Sequence, residues 1–212
     1  MQEPVSWHSE VISPDVPTTA KTLASLSTLR DFYLAGGTAL ALYRGHRRSV
    51  DLDFVNAQTF DEERLIASLQ VLPDLAVISR SPQTVYCHVS GTKVSFIGYG
   101  YPLLFPPMEF YGVSVADERD IACMKLWALA SRGSRRDFVD LYIVVRQYGI
   151  PWLLELFRQK FPKANYNLLH VWKSPTYFAD AENEPMPDLL VPLSWEEVKR
   201  FFVNEARRLK PA

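Results

Sequence analysis

The chain has 212 residues, 48% of them hydrophobic and 22% charged, with 23 Lys and Arg against 24 Asp and Glu for a net charge of −1. That apolar share is ample for a packed core and excludes intrinsic disorder, while the neutral balance argues against a surface that coats nucleic acid broadly. The length predicts one domain, or one with a small appendage.

Residues 1–16 show no clear period and read as a loosely packed lead-in. Over 17–29, Leu23, Leu26 and Leu29 recur at helical spacing behind Thr18 and Thr19, which suit a helix start. Phe32-Tyr33-Leu34-Ala35 is a short β-prone run, Gly36-Gly37 a turn, and 38–43 a strongly helix-forming apolar segment stopped by Gly45. A basic link, His46-Arg47-Arg48, leads to a strand over 50–55, where apolar and acidic residues alternate. Helical spacing returns over 61–72, closed by Pro73. Three β-prone runs follow at 75–79, 84–89 and 93–97; Ser90-Gly91-Thr92 between the last two is hairpin chemistry, so an antiparallel extension of the sheet is expected. Residues 98–112, interrupted by three glycines and three prolines, predict mainly loop.

Beyond them the chain turns helical. Asp117 caps a helix to Ser131, Gly133-Ser134 breaks it, a second helix runs over 135–148, and Pro151 starts a third. Ser194-Trp195-Glu196-Glu197 is a capping box opening a last helix to about Leu209. The expected class is α/β (α+β), with an α/β core over 17–115 and a helical region over 116–209 packed on it. No apolar run approaches the ~20 residues of a membrane span, and the amino terminus lacks the layout of a secretion signal, so a cytoplasmic protein without membrane contact is expected. Cys87 and Cys123 read as reduced, buried residues.

Four features could carry chemistry. A glycine turn entering a helix, Gly36-Gly37-Thr38, leaves backbone N–H groups and a positive dipole end aimed at one point, which suits a phosphate; simple chain geometry is the alternative. Asp51 and Asp53 stand two apart on the predicted strand and project from one face, ~7 Å apart at their Cα atoms. At ~5 Å between charges and an effective dielectric of ~20, they repel by ~3 kcal/mol, which protonation, solvent or a cation must relieve. Hard oxygens so placed fit Mg²⁺, which takes one or two carboxylates plus substrate phosphates; two ordinary acids on a solvated sheet edge would look the same. Lys125 shares a helix face with Ile121, Ala128 and Arg132 and either snorkels outward or meets an anion. Asp137 and Asp140, three apart on the next helix, could simply pair with Arg132, Arg135 or Arg136.

In this order, LAGGTALALYRGHRRSVDLDF and ERDIACMKLWALASRGSRRDFVDLY resemble the AbiEii-type nucleotidyltransferases of the polymerase-beta-like superfamily, which include toxins of abortive-infection and toxin–antitoxin systems. The resemblance covers residues 32–55 and 113–148. It implies a mixed sheet flanked by helices and transfer of a nucleoside monophosphate from an NTP to a hydroxyl acceptor. Gly36, Gly37 and Thr38 would hold the triphosphate, Asp51 and Asp53 would bind Mg²⁺ or Mn²⁺, and Lys125 would reach a phosphate. Asp137 would serve an acid, base or orienting role. A cognate antitoxin and a toxin role are implied by the family alone.

One position departs from the superfamily pattern. A third carboxylate is expected on a later central strand, and Ser95 stands there, which puts two-metal catalysis in question. Asp137 as substitute base is the preferred expectation; a single metal, or a nucleotide-binding module without turnover, are the alternatives. Arg44, His46, Arg47 and Arg48, with Arg132, Arg135 and Arg136, could guide a polyanionic acceptor such as tRNA, hold the nucleotide's phosphates, or cap helix ends; Arg48 is assigned to the nucleotide. A protein hydroxyl is the other acceptor class. His46 reads as a helix cap or phosphate contact. Tyr99, Tyr101, Phe105, Phe110 and Tyr111 could stack a base or pack against the body.

Overall fold

Leu52–Asn56 (β2) lies at the middle of a seven-stranded sheet, with Leu52, Phe54 and Val55 buried. The computed structural model describes residues 6–208. Phe32–Ala35 (β1) runs antiparallel to β2 on one side, and Thr92–Gly98 (β5) runs parallel to it on the other. Beyond β5 lie Thr84–Val89 (β4) and then Ala76–Ser81 (β3), each antiparallel to its neighbour. Beyond β1 lie Val113–Val115 (β7), parallel to it, and Met108–Phe110 (β6), antiparallel to β7. The order β3-β4-β5-β2-β1-β7-β6 is a mixed sheet, as expected.

The helices in chain order are Asp15–Ala24 (α1), Gly36–Arg44 (α2), Glu62–Leu69 (α3), Glu118–Ser131 (α4), Arg135–Tyr148 (α5), Ile150–Lys160 (α6), Leu168–Lys173 (α7) and Trp195–Arg208 (α8). Their starts follow the capping chemistry: Asp61, Asp117 and Ser134 each accept an N–H from the first turn of α3, α4 and α5. Gly45 closes α2 with φ 61°, a left-handed conformation that glycine adopts without steric cost. Helix α4 packs against α2, α5 and α6, so the helical half leans on the sheet through α2 and α4. Phe54 and Phe96 of the sheet and Phe138, Phe157 and Phe202 of the helices belong to one buried cluster. Among the described residues no helix is long and apolar enough to cross a membrane. Cys87 and Cys123 are free and buried, and burial pushes their thiols up to about 11 and about 12.

Several expectations are corrected. The lead-in is not loose over 6–16: Val11 and Val16 are buried, and the Trp7 indole donates to the Glu109 carbonyl at 3.0 Å. Residues 1–5 lie outside the described residues. The first helix starts at Asp15, with Pro17 in its first turn where a missing N–H costs nothing, and ends at Ala24; Leu29 sits in a following 3-10 turn. Residues 98–112 are mainly loop as expected, with one short strand, β6, inside them, disguised by its three-residue length and by the flanking Pro106-Pro107 and Gly112. Asp51 falls one residue before β2. The last helix is described to Arg208, and Leu209 lies outside the described residues. Tyr101 packs on Phe161 and Phe110 on Trp7, while Phe105 lies under the Arg119 guanidinium, so these rings chiefly clothe the body.

One buried ion pair fastens that aromatic loop. Lys160 of α6 donates to Asp120 of α4 at 2.6 Å and to the Pro102 carbonyl at 3.0 Å, and Asp120 accepts the N–H groups of Leu104 and Phe105. Both side chains are fully buried. Lys160→Met leaves the Asp120 charge unpaired, and urea unfolding is expected to show a loss of about 3–5 kcal/mol.

Candidate active site

The two glycines that open α2 answer to two charged side chains. Gly36 has φ +68°, and a Cβ there would lie 2.6 Å from Asp53 Oδ2; a Cβ on Gly37 would collide with the Arg47 guanidinium. A side chain at either position would have to displace Asp53 or the Arg47 guanidinium. Among the described residues no side chain caps the α2 N-terminus, and Gly37 and Thr38 line a cavity of about 370 Å³ together with Asp51, Asp53, Lys125 and Asp137. Its N–H groups and dipole therefore face the same space as the acids.

The Thr38 hydroxyl reaches Ser49 Oγ at 2.7 Å and the Asp51 carbonyl, holding Asp51 beside α2 although it lies outside the strand. Asp53 sits in register with Ala35 of β1 and Ser95 of β5, and Ser95 Oγ donates to Asp53 Oδ1. The position read as lacking a third carboxylate thus lies directly beside Asp53 and holds a neutral donor. Lys125 and Arg47, in the same cavity, bond other acids, leaving Asp51 and Asp53 without an ion-pair partner among the described residues.

Those other acids are Asp137 and Asp140. Lys125 Nζ lies 2.7 Å from Asp137 Oδ1 and 2.6 Å from Asp140 Oδ2. Arg47 grips Asp140 through Nε at 2.6 Å and Nη2 at 2.9 Å, and His46 Nε2 lies 2.8 Å from Asp140 Oδ1. Burial alone would raise the Asp140 carboxyl, but Lys125, Arg47 and His46 outweigh it and hold it well below the usual carboxylate range. Burial likewise opposes the Lys125 ammonium, and Asp140 and Asp137 overcome this to hold its pKa above the ordinary lysine value. The second Asp137 oxygen accepts from Ser134 Oγ at 2.7 Å, so both its oxygens are engaged.

Of the residues singled out in the sequence, Gly36, Gly37, Thr38, Asp51, Asp53, Lys125 and Asp137 come together around this cleft. Arg48 points elsewhere: it is exposed, pairs with Asp188 at 3.3 Å, and lines an adjoining cavity. His46 is buried against Asp140 and is neither a helix cap nor exposed to a phosphate. Arg44 binds Glu118, away from the cleft. The sequence placed Arg47 only among a basic cluster, without its inward pairing to Asp140, and gave no sign of Glu184, which reaches the cleft from a loop with no periodic pattern.

The cleft has three connecting parts. The central cavity opens past Asp53 and Lys125 into one of about 460 Å³ lined by Val55, Tyr86, Ile97, Tyr99, Met124 and Trp127. Past Asp51 it opens into one of about 600 Å³ lined by Arg48, Val50, Arg136, Glu184 and Met186. One side is thus apolar and aromatic, and the other carries three arginines beside three acids. A cavity of about 630 Å³ at the far end of β2, beside Asn56 and Arg64, contains none of these residues. Among the described residues no three His, Cys, Asp or Glu side chains form a metal-binding group. The donor set is two unpaired carboxylates beside an uncapped helix start. That set fits a hard divalent ion completed by phosphate oxygens and water.

A mixed sheet presenting two acids to a glycine-opened helix is the fold of a nucleotidyltransferase. The chain belongs to the nucleotidyl transferase AbiEii toxin family of type IV toxin–antitoxin systems, whose model matches residues 23–101 and 92–209. It is 37% identical over 191 residues to an uncharacterized protein of Aquifex aeolicus, covering 87% of this chain and 91% of that one. Its fold is similar to that of MenT4, a nucleotidyltransferase toxin of Mycobacterium tuberculosis, with a TM-score of 0.55 at 18% identity over 92% of this chain and 84% of the other. The structure of JHP933 from Helicobacter pylori is also similar, with a TM-score of 0.53 at 19% identity over 92% of this chain and 89% of the other.

The Asp140 carboxyl is lowered on folding, so the stability it contributes is present above its unfolded value, about 3.9, and is lost as pH falls through the folded value. Asp140→Asn is expected to lower unfolding free energy by about 3 kcal/mol. In urea titrations, that difference from wild type stays constant over pH 5–8 and shrinks below about pH 4.

Proposed function

We propose that the chain transfers a nucleoside monophosphate from an NTP to a hydroxyl acceptor with release of pyrophosphate, dependent on Mg²⁺ or Mn²⁺ held by Asp51 and Asp53. The observation that carries this reading is the pair of unpaired acids facing the uncapped α2 N-terminus across one cavity. The triphosphate lies on the N–H groups of Gly36, Gly37 and Thr38. Lys125, held charged by Asp137 and Asp140, supplies a fixed cation beside it. Asp137 acts here as the group that orients Lys125, since both its oxygens are already engaged. When bound, the ion neutralises charge on the reacting phosphate oxygens.

The aromatic side of the cleft takes the nucleoside and the arginine-lined side the acceptor. Arg48 meets phosphate at that second opening after leaving Asp188. An RNA such as tRNA would meet the exposed Arg48 and Arg136 there, and a protein hydroxyl is the other acceptor class. In this division of labour 17–115 carries the acids and 116–209 brings Lys125 and Asp137 to them. As the toxin of a type IV pair, the protein acts in the cytoplasm and has a cognate antitoxin. A second reading, nucleotide binding without turnover, is favoured by the Ser95 hydroxyl beside Asp53.

Incubation with each α-³²P-labelled NTP, Mg²⁺ and total bacterial RNA or cell extract tests the proposal. Transfer by wild type is expected to vanish with chelator, return with Mg²⁺, and fall on the order of 10³-fold in Asp51→Ala or Asp53→Ala. Label on protein and not on RNA assigns the other acceptor class. Mg²⁺-dependent NTP binding that both variants lose, with no transfer by wild type, establishes the second reading.

A further inference from the structure

The attacking hydroxyl must lose a proton, and the side of the cleft from which it arrives restricts which carboxylate can take it. Asp137 borders the central and aromatic cavities, and both its oxygens are occupied by Lys125 and Ser134. It stands on the nucleotide side. Asp51 and Asp53 are assigned to the ion. The acids that line the arginine side are Asp51, Asp188 and Glu184, and Asp188 is paired with Arg48. Glu184 alone among these others also lines the central cavity, so its side chain borders the passage between the acceptor side and the acids.

Glu184 is held in place from two directions. Its Oε2 accepts the backbone N–H of Arg135, the first residue of α5, at 2.7 Å. Arg135 Nε donates to the Ala181 carbonyl at 2.9 Å, and the Glu184 N–H closes a turn onto the same carbonyl at 3.2 Å. Downstream, Arg48 N–H donates to the Asp188 carbonyl at 2.8 Å and Leu190 N–H to the His46 carbonyl at 2.9 Å, laying the loop along the link that carries Arg47. One carboxylate oxygen is thereby anchored; the other, Oε1, has no hydrogen-bond partner among the described residues.

Resting on the nucleotidyl transfer proposed above, we infer that Glu184 is the proton acceptor for the acceptor hydroxyl, taking from the other side of the cleft the role for which a carboxylate is expected where Ser95 stands. The acceptor O–H gives its proton to Glu184 Oε1 as its oxygen bonds to the α-phosphorus. The bond from that phosphorus to the bridging oxygen breaks, pyrophosphate leaves, and Glu184 returns the proton to water.

The rival account makes Glu184 only the cap of α5, and glutamine separates the two because its carbonyl oxygen still accepts the Arg135 N–H. The probe is transfer from each α-³²P-labelled NTP to total bacterial RNA and to cell extract with Mg²⁺. Melting temperature and affinity for a non-reactive α,β-methylene NTP are measured in parallel. Glu184→Gln is expected to melt with the wild type and bind the analogue within about threefold, yet transfer label at least about 100-fold more slowly, with Glu184→Asp recovering part of the rate. Transfer at the wild-type rate by Glu184→Gln overturns the inference and leaves the function standing. A rate loss in Glu184→Gln and Glu184→Asp that only follows lost melting temperature or lost analogue binding assigns Glu184 to the helix cap and also overturns it. A wild type that labels neither RNA nor protein overturns the function itself, and this inference with it.

Discussion

The buried carboxylate of Asp140 is the point on which the cleft depends. It draws Arg47 and His46 from the link after α2, and Lys125 from α4, onto α5. A charge buried that deeply must be neutralised by well-placed partners, and here they come from two stretches of chain outside α5, the 46–47 link and α4. Charge pairing thus joins apolar packing in setting how the helical half sits against the acids of the sheet. Arg47 is the clearest consequence, because its guanidinium comes so close to Gly37 that no side chain fits there.

From that arrangement follows the division of the cleft. Lys125 and Asp53 stand where the central cavity meets the aromatic side, and Asp51, Arg136 and Glu184 where it meets the arginine side. An aromatic, apolar recess offers stacking surface, and the exposed Arg48 and Arg136 offer phosphate contacts. The acids lie at the junction, where an in-line displacement would bring the two substrates together.

The run from Arg44 to Arg48 shows where sequence reading loses its grip. Its four basic side chains travel to three places: Arg44 to Glu118, His46 and Arg47 to Asp140, and Arg48 to Asp188. In a helix or strand the period would decide which of them share a face, but this link is irregular and each partner is distant in sequence. Glu184 escaped notice for the same reason, lying in a segment with neither period nor motif. The strand β6 escaped because three residues between prolines and a glycine carry too little pattern to outweigh those breakers.

What the sequence determined by itself was local and periodic: the strand–glycine–helix unit at 32–44, the acids about β2, the capped helices α4 and α5, and, through the family motif, a serine at 95 where a carboxylate is expected. These depend on backbone propensity, alternation and capping, which act over a few residues, and on a motif long enough to identify the family. Only the tertiary structure decided which arginine turns inward, that Lys125 is gripped by two acids, and which carboxylate faces each side of the cleft. Those outcomes are set by burial and charge pairing between residues some 10 to 140 positions apart, for which a single chain of letters carries no spacing to read.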